Sequence, residues 1–531
     1  MLNLLLFSCA RVGAPNGGTR DSLAPKFLGS NIDTTRLNVS RTVKELRLDF
    51  DEYVMLKDFN KNFNVSPPIK KIKKVIPSNL ANKYVLIQWE DTLQANTTYN
   101  FNFGNAIVDN NESNPLPYFN FAFSTGDKID DLFVSGTVKD AMTLIKENQT
   151  AKDNKMVVGL YKAGENLDYK QKPDYITKVD EENYFELNFL PKGEFVIIAF
   201  DDENQNSVYD AGKEKVSFLK EKITLDSTSV RGLKLKLYPS KKVVKYKESK
   251  AINGGLLMTF EGNPETVEVK SLSEELKDFK VTHAKRSDSV NIWFDAEKSN
   301  LGGTVSKQVK LSYFTPTISD TISVSYKAVK DEFKLSNEAG NLIAPENNFV
   351  INTSLPIENL NTSSWKLESD SIAQDFTAKI SEKNPFKILV NSSFKPTKKY
   401  VLTIPKETVS SYYSSNDKSF QFQFEIDKPE NYGSFTAVIK NKPTAKFWVE
   451  LTNEKGEILY SQFTNASEVS FKNLKPATYI ARIRVDNNGN GFWDEADFAQ
   501  NIAAEDVYIF EKEINVRPLW EIKEDWELIN H

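Results

Sequence analysis

Along most of this chain, apolar and polar side chains alternate with a period of two. Charged residues separate Leu46, Leu48 and Phe50, and asparagines separate Tyr99, Phe101 and Phe103. Phe119, Phe121 and Phe123 repeat the pattern, as do Phe420, Phe422, Phe424 and Ile426. Such alternation places one face of a strand on a core and the other in water, the signature of antiparallel sheets. Many short alternating runs with turn residues between them predict an all-β chain of tandem β-sandwich modules in an elongated arrangement. Helical periodicity is scarce, and Ser271–Lys280 is its best short candidate.

The chain repeats itself once. Phe185–Asp210 aligns without a gap on Val469–Asp494, a constant offset of 284 residues. Leu190 meets Leu474, and the alternating set Phe195, Ile197 and Ala199 meets Tyr479, Ala481 and Ile483. Asp202, Asn204, Asn206 and Asp210 meet Asp486, Asn488, Asn490 and Asp494. The shared pattern is a strand, a proline-containing turn, a second strand and an acidic loop, so two copies of one module are expected.

Composition removes whole classes of chemistry. The 531 residues hold one cysteine, Cys9, and two histidines, His283 and His531. No internal disulfide is available, nor a Cys/His zinc site, and a serine triad would have to use His283. A net charge of −5 argues against nucleic acid as a partner. At 40% hydrophobic, the chain can bury several cores. It has no apolar run long enough to span a bilayer as a helix.

Cys9 ends the apolar run Met1-Leu-Asn-Leu-Leu-Leu-Phe-Ser-Cys. The segment Leu6-Phe7-Ser8-Cys9 resembles the lipobox of bacterial lipoproteins, which implies cleavage before Cys9 and acylation of that residue. No Lys or Arg precedes it, so the signal is expected to begin upstream of Met1. Ala10 fits the sorting pattern of an outer-membrane destination. Arg11–Ala24 is rich in Gly, Pro and Ser and reads as a flexible tether.

The run from Tyr99 through Gly104-Asn105 to Asp109, then Asn114, then Phe123-Ser-Thr-Gly126, resembles the SbsA-type bacterial Ig-like domain of S-layer proteins. Asp21-Ser-Leu-Ala-Pro25 fits its opening, while Ser113 stands where that family has glycine. The acidic-loop modules look like the prealbumin-like domains that follow such Ig domains in envelope lipoproteins. The resemblance implies surface or envelope architecture and carries no catalytic residues. The expected organisation is a signal remnant and tether (1–21) and an SbsA-type Ig-like domain (22–127). A prealbumin-like sandwich with an acidic loop (130–239), a further β-sandwich (245–335), an Ig-like sandwich (336–427) and a second prealbumin-like sandwich (430–531) follow. Candidate linkers are Gly126–Asp131, Ser240–Lys250 and Asp427–Tyr432, all short.

The sharpest chemical signal is Asp486-Asn-Asn-Gly-Asn-Gly-Phe-Trp-Asp494-Glu-Ala-Asp497. With Asp486 as position one, oxygen side chains fall at positions 1, 3, 5, 9 and 12, and Gly491 at 6, the spacing of a calcium loop. Calcium prefers six to eight hard oxygens, which alternate residues of a tight loop can supply. Asp486, Asn488, Asn490, Asp494 and Asp497 are the candidate ligands, with Phe492 offering its carbonyl. In the first copy Asp202, Asn204, Asn206 and Asp210 keep their places, Ser207 replaces the glycine, and Glu214 reaches in if the loop shifts by one. The competing reading is an Asn/Gly-rich turn without an ion. A bound ion would stiffen a loop and is not expected to catalyse.

Other residues read more plainly. His283 sits among charges, as a solvated or partly packed residue. Asp109-Asn-Asn-Glu112 lacks calcium spacing and reads as a solvated turn. Lys70-Lys71-Ile72-Lys73-Lys74 reads as a guarded edge strand, the alternative being contact with anionic lipid or polymer. Trp493, matched by Tyr209, reads as structural. The chain is therefore expected to be a non-enzymatic, lipid-anchored envelope protein on either face of the outer membrane, held through Cys9. It would act as scaffold, adhesin or accessory subunit, with an envelope protein or surface glycan as partner. A carbohydrate-binding lipoprotein is the alternative, and a carboxylate-based hydrolase a distant third.

Overall fold

A computed structural model of the chain describes residues 21–144, 155–164, 168–329, 332–338 and 340–528. Cys9 and most of the tether lie outside the described residues. Nearly all regular structure is strand, and among the described residues no helix is long and apolar enough to cross a membrane. The alternating runs bury the face their pattern dictates: Leu46, Leu48, Phe101, Phe103 and Phe123 are fully buried, with Glu45, Arg47 and Asp49 facing outward, while Asn100, Ala122 and Ser124 on the opposite face of the other sheet are also covered. Ser271–Lys280 is not helical. It is a turn between strands Glu268–Ser271 and Lys280–His283, pinned by fully buried Leu276.

The strands close over five separate hydrophobic cores, and the chain divides into two compact units. One unit takes in residues up to 139, 148–210 and 214–237, and the other 140–147, 211–213 and everything from 238 onward.

The first unit holds two sandwiches. In the first sandwich, Phe27–Ser30, Glu45–Leu56, Asn82–Trp89 and Ile72–Ile76 lie in that spatial order in one sheet. Asn64–Ser66, Thr98–Gly104 and Phe119–Ser124 form the other. The second sandwich has Tyr184–Leu190, Leu132–Asp140 and Val230–Leu237 in one sheet, and Tyr175–Lys178, Met156–Lys162, Gly193–Asp201 and Val216–Phe218 in the other. The two meet through polar groups. Ser66 Oγ accepts from the Ile176 amide at 3.2 Å, and the Thr98 hydroxyl donates to Asp130 Oδ2 at 2.9 Å. Asn100, Asn102, Asn120 and Asn188 line the seam.

The second unit holds three sandwiches. Its first two repeat the strand order of the chain's opening sandwich. In the third sandwich of the chain, Lys245–Ile252, Gly255–Glu261, Ser289–Trp293 and Lys280–His283 face Glu268–Ser271, Lys307–Phe314 and Ser319–Tyr326. Lys245–Ile252 is thus an edge strand, which takes half of the Lys-rich segment expected as a linker. The fourth sandwich sets Leu335–Asn337, Phe349–Thr353, Asn384–Ser392 and Phe376–Ser381 against Lys366–Ser369, Lys399–Ile404 and Phe420–Ile426. The fifth repeats the second sandwich: Glu468–Leu474, Gly433–Lys440 and Glu521–Glu527 face Ile458–Thr464, Phe447–Thr452, Ala477–Val485 and Val507–Val516. Even the backbone exceptions recur at the 284-residue offset, with left-handed Phe189 answered by Asn473.

Each of these three sandwiches bonds to the other two. Trp293, on a strand of the third, is buried in the fourth's core, 6.0 Å from the Phe386 ring. Lys280 pairs with Glu358 at 2.6 Å and the Tyr413 hydroxyl donates to Asp278 at 3.1 Å across the same junction. Asn473 Nδ2 donates to the Pro345 carbonyl, joining fourth to fifth. Arg286 of the third pairs with Asp494 of the fifth at 2.7 Å.

Candidate functional site

Both acidic loops follow the strand that ends their repeated hairpin, and both are wound by the same bonds. Asp202 accepts the amides of Asn206 and Ser207 on its two carboxylate oxygens, each at 3.0 Å. Asp486 accepts those of Asn490 and Gly491 at the same distances. The side chains at position 3 cross the loop: Asn204 Nδ2 donates to Asp210 at 2.6 Å, and Asn488 Nδ2 to Asp494 at 2.5 Å. Asn490 Nδ2 also reaches Asp494 at 2.8 Å, and its Oδ1 accepts the Phe492 amide. Positions 4 and 6 are left-handed in both copies, taken by Gln205 and Ser207 in the first and by Gly489 and Gly491 in the second.

A glutamate completes each loop. Glu214, 2% exposed, accepts the Glu203 and Asp210 amides. Glu505, 6% exposed, accepts those of Asn488 and Asp494. Spacing pointed to Asp497 for this place in the second loop. Asp497 instead pairs its backbone with Ile502 and turns its carboxylate to the Gln500 amide. The longer insertion between loop and strand moves the closing acid from position 13 to position 20. One signal for it lay in the sequence, since both glutamates stand two residues before the valine that opens the next strand, Val216 or Val507.

The carboxyls of these loops are shifted in opposite directions. Burial pushes the Glu214 carboxyl up to about 7 and also raises that of Glu505. Burial pushes Asp494 up too, but the amides of Asn488 and Asn490 and the Arg286 guanidinium outweigh it and hold Asp494 below the usual value. Arg286 is held in turn by Glu265 at 2.5 Å and lies over the Phe492 ring at 4.6 Å. A cation from the third sandwich therefore already pairs with Asp494 of the second loop. Among the described residues, no group of three or more His, Cys, Asp or Glu side chains stands close enough to hold a metal ion.

Behind the second loop runs a ladder of alternating rings and cations. Lys446 lies over Phe463, Phe463 stacks on Trp448 at 4.4 Å, and Arg484 lies 5.8 Å from both Trp448 and Trp493. Trp493 also donates its Nε1–H to the Glu505 carbonyl at 3.1 Å. Arg484 and Arg482 share Glu450, which is fully buried. Arg482 reaches Oε2 at 2.7 Å and Arg484 reaches Oε1 at 2.5 Å.

Two minor sites behave differently from each other. His283 Nε2 lies 3.0 Å from the Ser287 carbonyl, partly packed in its own turn. Asp109 does not sit in a solvated turn. It is 1% exposed, and its oxygens accept the amides of Asn111, Glu112, Ser113 and Asn114. Burial pushes its carboxyl up, but these four donors prevail and hold it below the usual range.

Residues 21–125 match the family described as bacterial Ig-like domain. No curated protein matches the chain. Among solved structures, the S-layer protein rSbsC(31-844) is 12% identical, with 93% of this chain and 67% of that one covered and a TM-score of 0.15. The SGBP-B protein of a Bacteroides ovatus mixed-linkage glucan utilization locus, in complex with a mixed-linkage heptasaccharide, is 10% identical. There, 74% of this chain and 97% of that one are covered, with a TM-score of 0.21. BcpA, the major pilin subunit of Bacillus cereus, is 11% identical over 75% and 99% of the two chains, with a TM-score of 0.13. Scores this low leave the functional reading to the chain's own residues.

Proposed function

We propose that this protein is a non-enzymatic scaffold of the bacterial cell envelope. In this reading it is anchored in the outer membrane through lipidated Cys9 and presents its sandwiches to an envelope protein. The observation that carries it is the set of built junctions, above all Trp293 inserted in the fourth sandwich's core. A chain of loosely strung domains has no need of a shared core. A scaffold that transmits position does, because each specific bond removes a degree of freedom between modules. The engagement of His283, the one internal histidine, with its own turn also favours a structural role. The test is a pull-down of C-terminally tagged protein from detergent-solubilised membranes. A stoichiometric envelope protein supports the scaffold. Recovery alone, with binding on a glycan array, replaces it by the carbohydrate-binding alternative.

We further propose that the two acidic loops take calcium as a structural ion. The support is the oxygen spacing, the left-handed backbone at positions 4 and 6, and a buried closing glutamate in each copy. In the first loop Asp202, Asn204, Asn206, Asp210 and Glu214 are the ligands to test. In the second they are Asp486, Asn488, Asn490, the Phe492 carbonyl, Asp494 and Glu505, and there the ion must displace Arg286 from Asp494.

A further inference from the structure

We propose that the edge strand Ile72–Ile76, with Lys70 and Lys71 leading into it, is a membrane-facing surface that rests on anionic lipid headgroups. Three observations point there. First, the strand is an outer edge of its sheet, pairing with Asn82–Trp89 and carrying its lysines into water: Lys70, Lys71, Lys73 and Lys74 are all exposed. Second, the local charge is unbalanced. Lys71 is met by Glu90 at 2.5 Å and its amide by Asp91. Glu90 also acts electrostatically on Lys73, but one acid faces several lysines, and among the described residues no ion pair is formed by Lys70, Lys73 or Lys74. Ile72, 39% exposed, stands between them as an apolar tip. Third, the covalent connection is short. Asp21 is 12 residues from Cys9, a reach of at most ~40 Å even when fully extended.

The sheet's order places Phe27–Ser30, where the tether enters, at the edge opposite the lysine strand, three strand spacings away. At about 4.8 Å per spacing this is roughly 15 Å, well inside the tether's reach. A sandwich held this close to a bilayer must turn some face to it. The edge where four lysines outnumber the nearby acids Glu90 and Asp91 has the complementary charge, and an anionic leaflet attracts each lysine near its surface. The same lysines protect the free edge from pairing with another strand, so one feature serves both purposes. The inference rests on anchoring through Cys9. It adds which face of the first sandwich lies against the membrane.

The test uses the full chain with Cys9→Ser, so that the protein's own affinity for lipid is read without acyl chains. It is sedimented with vesicles of phosphatidylcholine alone and of phosphatidylcholine with phosphatidylglycerol, at low and high salt. We expect partition onto the anionic vesicles only, lost at high salt. The K70Q/K73Q/K74Q variant should partition at least tenfold more weakly, given roughly fivefold per lysine. The K70R/K73R/K74R variant should bind like the parent, which separates charge from edge protection, and a melting curve for each variant checks that it folds. Equal sedimentation with both vesicle types, or with the parent and the glutamine variant, overturns the proposal. The mass of the N-terminal peptide from membranes tests acylation separately, so a failure of anchoring and a failure of the lysine surface give different results.

Discussion

Arg286 Nη1 lies 2.7 Å from Asp494 Oδ1, so a side chain of the third sandwich occupies the charge site of the fifth sandwich's acidic loop. If calcium uses Asp494, the guanidinium competes with it. Calcium added to chelator-stripped protein should raise the melting temperature, because a ligand of the folded state stabilises it by mass action. Asp494→Ala should remove the second loop's share of that rise. Arg286→Ala should tighten calcium binding in a calorimetric titration. Unchanged or weaker binding in Arg286→Ala would show that the ion does not use Asp494.

The first loop keeps the left-handed backbone of the second without its glycines. Ser207 has φ 61° and Gln205 φ 58°, where the second loop has Gly491 and Gly489. A side chain in this conformation costs on the order of 1–2 kcal/mol relative to glycine. Ser207→Gly should therefore raise stability in urea unfolding by about 1 kcal/mol, partly offset by the freedom glycine gains in the unfolded chain. A loss of stability would mean that the Ser207 side chain contributes more than its strain costs.

Glu450 is fully buried between Arg482 and Arg484. Removing one partner of a buried charge group leaves the others unpaired, at a cost of roughly 3–5 kcal/mol. Glu450→Gln should destabilise the chain on that scale and should loosen Trp493 through the freed Arg484, seen as a shift in tryptophan emission. Glu450→Met with Arg482→Leu and Arg484→Met should recover most of the loss, since apolar replacement of a whole buried ion group is often neutral.

Two buried carboxyls should give opposite pH dependences. Glu214 has its folded pKa raised to about 7 from 4.5, so its contribution to stability is fully present below 4.5 and lost as pH rises through about 7. Asp109 has its folded pKa lowered from 3.8, so its contribution is present above that value and lost as pH falls below it. With a chelator present, Glu214→Gln should flatten the decline between pH 4.5 and 7. Asp109→Asn should remove part of the acid-side loss. Melting temperatures across pH check both, and a Glu214→Gln curve parallel to the parent's would refute the first.

Much of the architecture was legible in the chain because a strand's side-chain period is a local property. Tyr99, Phe101 and Phe103 declare a buried face through their own spacing, and the 284-residue repeat declares two copies of one module with its loop. The oxygen residues at positions 1, 3, 5 and 9 were equally local. What the sequence could not determine depends on which surfaces meet. Glu505 closes the second loop from 11 residues beyond Asp494. Arg286 arrives from another sandwich, and Glu450 and Arg482 are buried although nothing in their local sequence signals it. Ser271–Lys280 had the spacing of a helix, but Leu276 is drawn into the third core and the segment turns instead. In each case the deciding interaction is between residues distant in the chain, and its strength comes from desolvation that exists only once the sandwiches have packed.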